Sequence, residues 1–272
     1  MIRIHKIAIL IVAAAIVFAF PAGISFAAES GSPDVQRLNN ILERTANQTS
    51  AFLDQFSDVK CTEQVRQEKL GQDNKVQLKE ESTYDYLVIL SNTGGELSLA
   101  ESRLPIHEPK RDRKNTSMLL SNGFATLFLV FHPIYADAFK FTLAEQDVLA
   151  GHTLQKITFQ HIPGMKSPAA LALRGREYPL ELTGTAWVDP ETGSIAKIEA
   201  GIAETLQDVG LKTLSSEIDF SPISFSDSKE AYWFPTQARV EVETARQHWR
   251  NLHQFTGYKK FSVSTEQKVT QK

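Results

Sequence analysis

The sequence predicts an α+β protein made mainly of antiparallel strands, in which a curled open half-barrel of about nine strands wraps two helices. Three observations lead to this fold class. They are a helical apolar period near the start of the chain, alternation of apolar and polar residues over most of the remainder, and a short apolar segment near the middle. A sheet this wide does not stay flat, so we expect it to curl and its concave face to be filled by the helices.

The first 27 residues have the organisation of a secretory signal peptide. Arg3 and Lys6 precede an apolar run of about 14 residues, 7–20, and small residues follow up to Ala27. The run is shorter than the roughly 20 residues of a membrane span. We therefore expect cleavage after Ala27, secretion across the inner membrane to the periplasm, and one half-barrel domain over 28–272 with no transmembrane anchor.

Composition argues against a nucleic-acid-binding protein and against a protein stabilised by internal disulfides. Removal of the leader leaves 27 Lys and Arg against 32 Asp and Glu, and this acidic balance argues against nucleic acid as a partner. Cys61 is the only cysteine, so no internal disulfide can form. No histidine neighbours Cys61 in the sequence, which favours a structural strand residue over a reactive thiol.

The mature chain opens with one amphipathic helix, predicted over roughly 33–56. Ser32 and Pro33 supply an N-cap and a first-turn proline. Polar residues such as Arg37 and Glu43 occupy the other face, so the apolar stripe must be covered by the rest of the fold. The stripe consists of Leu38, Ile41, Leu42, Thr45, Phe52 and Phe56.

Three strands follow as a meander. Residues 59–70 and 75–90 alternate in character and are joined by a polar turn, and a third strand ends near Arg103. Residues 105–117 then break the pattern with two prolines and a run of mixed charges. The mixed signs favour a solvated loop over an anion-binding or membrane-surface patch.

Residues 118–131 form the most apolar segment of the mature chain. It has almost no polar face and is too short to cross a bilayer. A helix that is apolar all round must be enclosed by protein or must cover an apolar cavity. The side chains that we predict to line such a cavity are Phe124, Leu127, Phe128 and Phe131.

The remainder reads as further antiparallel strands. Turns are predicted at 150–151, 162–180, 189–193, 207–210 and 227–230. Between them the alternation is clear, as where Ala196 and Ile198 oppose Lys197 and Glu199. One face of the sheet should therefore meet water, and the inner face should be apolar.

No catalytic, metal or cofactor site is predicted. None of the six histidines of the mature chain lies in H-E-x-x-H, and His248 and His253 are five residues apart, which places them on opposite faces of a strand. No G-x-S-x-G or phosphate-binding loop occurs. Glu241 and Glu243 share the solvent face of their strand, where a solvated role is expected. We expect a protein that is not an enzyme and holds no cofactor.

The pattern G-x-A-W-x-D-x-x-T-G-x-I-x-x-I-E spans residues 184–199, and Trp233-Phe234-Pro235 and Tyr258-Lys259-Lys260-Phe261 follow later. These features resemble the bacterial periplasmic proteins of the LolA, LolB and RseB type, the outer-membrane lipoprotein carrier-like family, and its secreted members in particular. The resemblance implies an incomplete antiparallel barrel around helices. It also implies a hydrophobic cavity that holds acyl chains or a lipid-like ligand.

The leading hypothesis is a non-enzymatic binding protein for an apolar ligand such as a lipid, an acyl chain or a lipoprotein. The alternative is an envelope domain for protein–protein interaction or sensing, without a ligand cavity. A hydrolase of unknown type is a third reading, which would require polar residues converging in a cleft. The sequence does not set the oligomeric state.

Overall fold

The chain is built almost entirely of antiparallel strands, as the computed structural model shows. It describes residues 32–93, 96–106, 124–173, 176–225 and 231–260, without the side chains at 91–93, 96, 98, 124, 125, 172 and 173. The helices are α1 (Pro33–Ser57) and α2 (Phe124–Phe128), with 3-10 turns at Leu129–Phe131, Ala136–Ala138 and Gln207–Val209. The strands are β1 (Val59–Leu70), β2 (Val76–Thr93), β3 (Glu96–Pro105), β4 (Phe139–Leu149), β5 (His152–His161), β6 (Ala170–Leu173), β7 (Arg176–Pro179), β8 (Leu182–Val188), β9 (Ile195–Ile202), β10 (Leu211–Ser224), β11 (Ala231–Thr244) and β12 (His248–Lys260).

Ten of these strands form one open sheet in the order β3-β2-β1-β12-β11-β10-β9-β8-β5-β4. Every neighbouring pair is antiparallel, and most are hairpins between consecutive strands. Two pairings join strands that are not consecutive: β5 with β8, and β1 with β12, which runs from Val59 opposite Lys260 to Leu70 opposite His248. β3 and β4 are the two edges, so the sheet is not closed into a barrel.

Helix α1 fills the concave face of the sheet. Its buried side chains recur at helical spacing, as the sequence predicted, and are Ile41, Thr45, Thr49, Phe52, Leu53 and Phe56. The helix contacts β2 beside one edge of the sheet, β11 near the centre and β4 at the other edge. These contacts place α1 across one face of a wide antiparallel sheet that stays open, and the predicted open antiparallel fold class is confirmed.

The N-terminal half of α1 is fixed to the β5–β9 side of the sheet by polar contacts. The Arg37 guanidinium donates to Oε1 of Gln155 at 2.8 Å, and Arg44 Nη1 donates to the carbonyl of Pro190 at 2.6 Å. The turn between β8 and β9 also brings Gly193 against the backbone of Arg44 and Thr45. The helix is therefore clamped at this turn as well as packed by its apolar stripe.

Two parts of the chain differ from the sequence-based expectation. The apolar segment at 118–131 was expected to give a second substantial helix, whereas its described part holds only the short α2 and a 3-10 turn that ends at Phe131. His132 and Pro133 end it, as predicted, and residues 118–123 lie outside the described residues. The predicted loop at 162–180 contains the additional hairpin β6–β7.

The outer face of the sheet carries rows of paired charges. Lys197 lies 2.7 Å from Glu199 and also pairs with Glu217 on the neighbouring strand, and Arg250 Nη2 lies 2.7 Å from Glu68. This is the solvent face that the alternation predicted. Among the described residues, neither helix combines the length and apolar character needed to cross a bilayer.

Candidate functional site

The concave side of the sheet contains a cluster of stacked aromatic rings around the second half of α1. Phe52 stacks on Phe128 with ring centroids 4.0 Å apart, and Phe128 meets Phe220 edge to face at 4.8 Å. One turn further along the helix, Phe56 stacks on Phe234 at 5.2 Å. Offset and edge-to-face pairs of this kind add to the stability that burial of the rings provides.

A cavity of about 460 Å³ opens beside this aromatic cluster. A volume of this size lies within the range of small-molecule sites, roughly 300–1,000 Å³. The helix contributes Gln48, Ala51, Phe52 and Gln55 at i, i+3, i+4 and i+7, so one face of α1 forms one wall. The other lining residues are Thr49, Phe128, Thr192, Ser194, Ile195, Ala231, Tyr232 and Trp233.

The four side chains that the sequence predicted to line the cavity have different locations in the structure. Phe128 lines it and is 4% exposed. Leu127 and Phe131 are 6% and 2% exposed and belong to the core, where Phe131 packs against Phe141 and Phe159. Phe124 begins α2, but its side chain lies outside the described residues. Their role in ligand binding stays a prediction.

A second, polar region of the inner face lies toward the β3 edge. There the carboxylate of Glu63 is fully buried and accepts two hydrogen bonds from Arg103, at 2.6 Å from Nε and 3.0 Å from Nη2. His253 Nδ1 lies 2.8 Å from Oε1 of the same carboxylate, the oxygen that also accepts from Arg103 Nη2, and Arg103 Nη2 lies 3.1 Å from Glu101. The prediction of a wholly apolar inner face is therefore wrong on this side of the sheet. We call Glu63, Glu101, Arg103 and His253 the inner ion cluster.

The alternation of inward and outward residues in β1 contains a signal for the inner ion cluster. Glu63 falls in the inward row of β1, between Cys61 and Val65, so strict alternation places a carboxylate in the core. A buried charge needs a partner, and the partner residues come from β3 and β12. Their positions depend on sheet order, which the sequence does not provide.

The pKa values of Glu63 and Cys61 are shifted in opposite directions. Burial acts to raise the pKa of Glu63, but the hydrogen bonds from His253 and Arg103 outweigh it and hold the pKa below its ordinary value. Burial raises the pKa of the Cys61 thiol to about 12. Cys61 is thus a buried core residue, as expected, with very little nucleophilic thiolate at neutral pH.

The depressed pKa of Glu63 predicts a specific loss of stability in acid. An acid whose folded-state pKa is lowered contributes its full stabilisation above its unfolded pKa, here about 4.3, and loses it as pH falls further. The free energy of unfolding, measured in urea between pH 7 and pH 3, should therefore fall less steeply below about pH 4.3 in Glu63→Gln than in the wild type. Glu43→Gln, at an exposed helix position, is the control and should follow the wild-type slope. Parallel profiles for wild type and Glu63→Gln would contradict the assignment.

Other depressions on the described part of the chain differ in character from the cavity. Two of them, of about 420 and 550 Å³, are lined by strand residues of β1, β2 and β8–β12, with no Phe, Tyr or Trp among them. In the described part of the chain, no group of three or more His, Cys, Asp or Glu side chains is arranged to hold a metal ion. His248 pairs with Glu241 on the outer face, while His253 faces inward.

Comparison with known proteins yields only distant likenesses. No protein-family model matches the chain, and no curated protein matches it either. A solved structure of a DUF1329 family protein from Desulfovibrio piger ATCC 29098 is 10% identical with a TM-score of 0.46, over 86% of this chain and 96% of that one. An outer membrane lipoprotein-sorting protein domain from Vibrio parahaemolyticus is 9% identical with a TM-score of 0.42, over 83% of this chain and 94% of that one. At these scores the likenesses carry no conclusion about ligand or activity.

Proposed function

We propose that this chain is an exported, non-enzymatic binding protein that holds an acyl chain or another apolar part of a lipid or lipoprotein beside Phe128. The observation that carries the proposal is the cavity itself, which opens onto the stacked rings of Phe52 and Phe128. Elsewhere the described aromatic cluster is packed into the core. An apolar chain can therefore reach the core here without unfolding the sheet.

Part of the cavity wall suits an apolar ligand. Phe52, Phe128, Ile195 and Trp233 contribute apolar side chains, next to the polar side chains of the lining. Transfer of apolar area from water contributes roughly 25 cal/mol per Å², and the cost of immobilising the ligand reduces this gain. No covalent step is required. The leader-like first 27 residues support export to the periplasm, and one half-barrel domain over 28–272 is part of the same proposal.

Filling the cavity should abolish binding of an apolar probe. Ala51 lines the cavity from α1, so the indole ring of Ala51→Trp would occupy the space of the ligand. We expect this variant to bind N-phenyl-1-naphthylamine at least about tenfold more weakly than the wild type, by fluorescence titration. Asn47→Trp places the same side chain at an exposed position one turn earlier and should bind as the wild type does. Unchanged binding in Ala51→Trp, or no binding by the wild type, would refute the proposal.

One feature favours the second candidate function, an envelope interaction domain. Leu104 and Ile106, at the end of edge strand β3, are 59% and 42% exposed, and an edge strand offers unpaired backbone groups to a partner chain. The probe titration separates the two functions. A wild-type protein that binds no apolar probe would make the β3 edge the better supported site.

A further inference from the structure

We infer that Phe128 limits the length of the acyl chain that the cavity accepts, because its ring closes the inner end of the cavity. The inference rests on the proposed function and adds which chain lengths the site selects. Two observations carry it: the change in burial along the cavity wall and the packing of core rings against Phe128.

The cavity has an exposed mouth and a buried inner end. Gln48, Thr192 and Ala231 line it and are exposed residues, which places the mouth beside them. Phe128 and Ile195 also line it but are only 4% and 2% exposed, so they belong to the inner end. An acyl chain that enters at the mouth therefore advances toward Phe128.

Core rings hold the ring of Phe128 in place. Phe52 stacks on it with centroids 4.0 Å apart, and Phe220 meets it edge to face at 4.8 Å. Both partners are buried, and Phe220 lies outside the described cavity lining, in the core that Phe128 separates from the cavity. Because a close-packed core leaves little free space, the end of an acyl chain that meets Phe128 cannot push the ring deeper.

The size of the cavity places the expected limit below sixteen carbons. A compact space of about 460 Å³ is roughly 10 Å across, whereas an extended chain of sixteen carbons spans about 18 Å, at about 3.6 Å for every three bonds. Each buried methylene strengthens binding about fourfold, and a methylene left outside the mouth adds little. The affinity should therefore rise with chain length and level off once the chain reaches Phe128.

The inference is tested with saturated fatty acids of 8 to 16 carbons, each measured by displacement of N-phenyl-1-naphthylamine at pH 8. In the wild type, the affinity should level off within this series. Phe128→Ala removes the ring and adds its space to the cavity, so the affinity should level off at chains about two methylenes longer. The ratio of the affinity for the 16-carbon acid to that for the 8-carbon acid should then rise at least about tenfold over the wild-type ratio.

Leu127→Ala is the matched control for Phe128→Ala. Leu127 precedes Phe128 on α2 and is also buried, but it lies outside the described cavity lining. Its truncation removes core contacts without lengthening the path of the acyl chain. We expect Leu127→Ala to keep the wild-type ratio of the two affinities. A rise as large as that of Phe128→Ala would overturn the assignment to Phe128.

The remaining outcomes separate this inference from the proposed function. A wild-type affinity that rises throughout the series, or an unchanged ratio in Phe128→Ala, would overturn the inference alone, as would a bound probe that none of the acids displaces. If Phe128→Ala does not fold, Phe128→Leu decides, since a raised ratio supports the inference and an unchanged ratio overturns it. A wild type that does not bind the probe would refute the proposed function itself.

Discussion

Replacing Gly193 with alanine should lower the free energy of unfolding by about 3 kcal/mol or more, because two separate costs combine at this position. Gly193 has a φ of +78°, a conformation that side chains other than glycine rarely adopt. An added Cβ would also lie 2.4 Å from the backbone carbon of Arg44 and 2.6 Å from the backbone nitrogen of Thr45. Backbone atoms cannot move aside as a flexible side chain can, so α1 would have to shift away from the β8–β9 turn.

Gly210 offers a matched control for this substitution. It also has a positive φ, +71°, but an added Cβ would meet nothing within 4 Å. Gly210→Ala should therefore carry only the conformational cost, roughly 1–2 kcal/mol. Urea unfolding of both variants measures the difference, which reports the tightness of the contact between α1 and the turn. Equal losses in the two variants would mean that the helix is not clamped there.

Removing the positive charge of Arg103 from the inner ion cluster should lower the free energy of unfolding by about as much as Gly193→Ala does. Arg103→Met keeps much of the side-chain volume but leaves Glu63 and Glu101 without their shared guanidinium. Breaking a buried ion pair by removing one partner costs roughly 3–5 kcal/mol, so the urea midpoint should fall sharply. The edge strand β3, which supplies Arg103, should then lose amide protection before the rest of the sheet.

A surface pair provides the comparison for Arg103. Lys212 and Glu243 lie 3.0 Å apart on the outer face with both side chains partly exposed, and pairs of this kind contribute at most about 1 kcal/mol. Lys212→Met should therefore unfold close to the wild-type midpoint. If Arg103→Met were no more destabilising than Lys212→Met, the inner ion cluster would not stabilise the fold.

Local patterns were sufficient to predict most of the secondary structure. The predicted helix at 33–56 and strand at 59–70 match α1 and β1 closely. The spacing of apolar residues that predicts each element depends only on residues within that element. The hairpin of residues 184–199 is found as β8 and β9, with the turn at Asp189. The number of strands was underestimated, since β6 and β7 are only four residues each.

The candidate site was less accessible to sequence reasoning, since segments far apart in the chain build it. The cavity draws on α1, α2, the turn before β9 and the start of β11, and only Phe128 among its lining residues was predicted.

The pairing of β1 with β12 joins strands that lie near opposite ends of the described chain. Contacts this distant in sequence make folding slow, because a large loop must be ordered before the strands can meet. Until β12 has been synthesised, β1–β3 cannot be joined to the rest of the sheet. The two parts of the described sheet, β1–β3 and β4–β11, would thus form separately until β12 pairs with both β1 and β11.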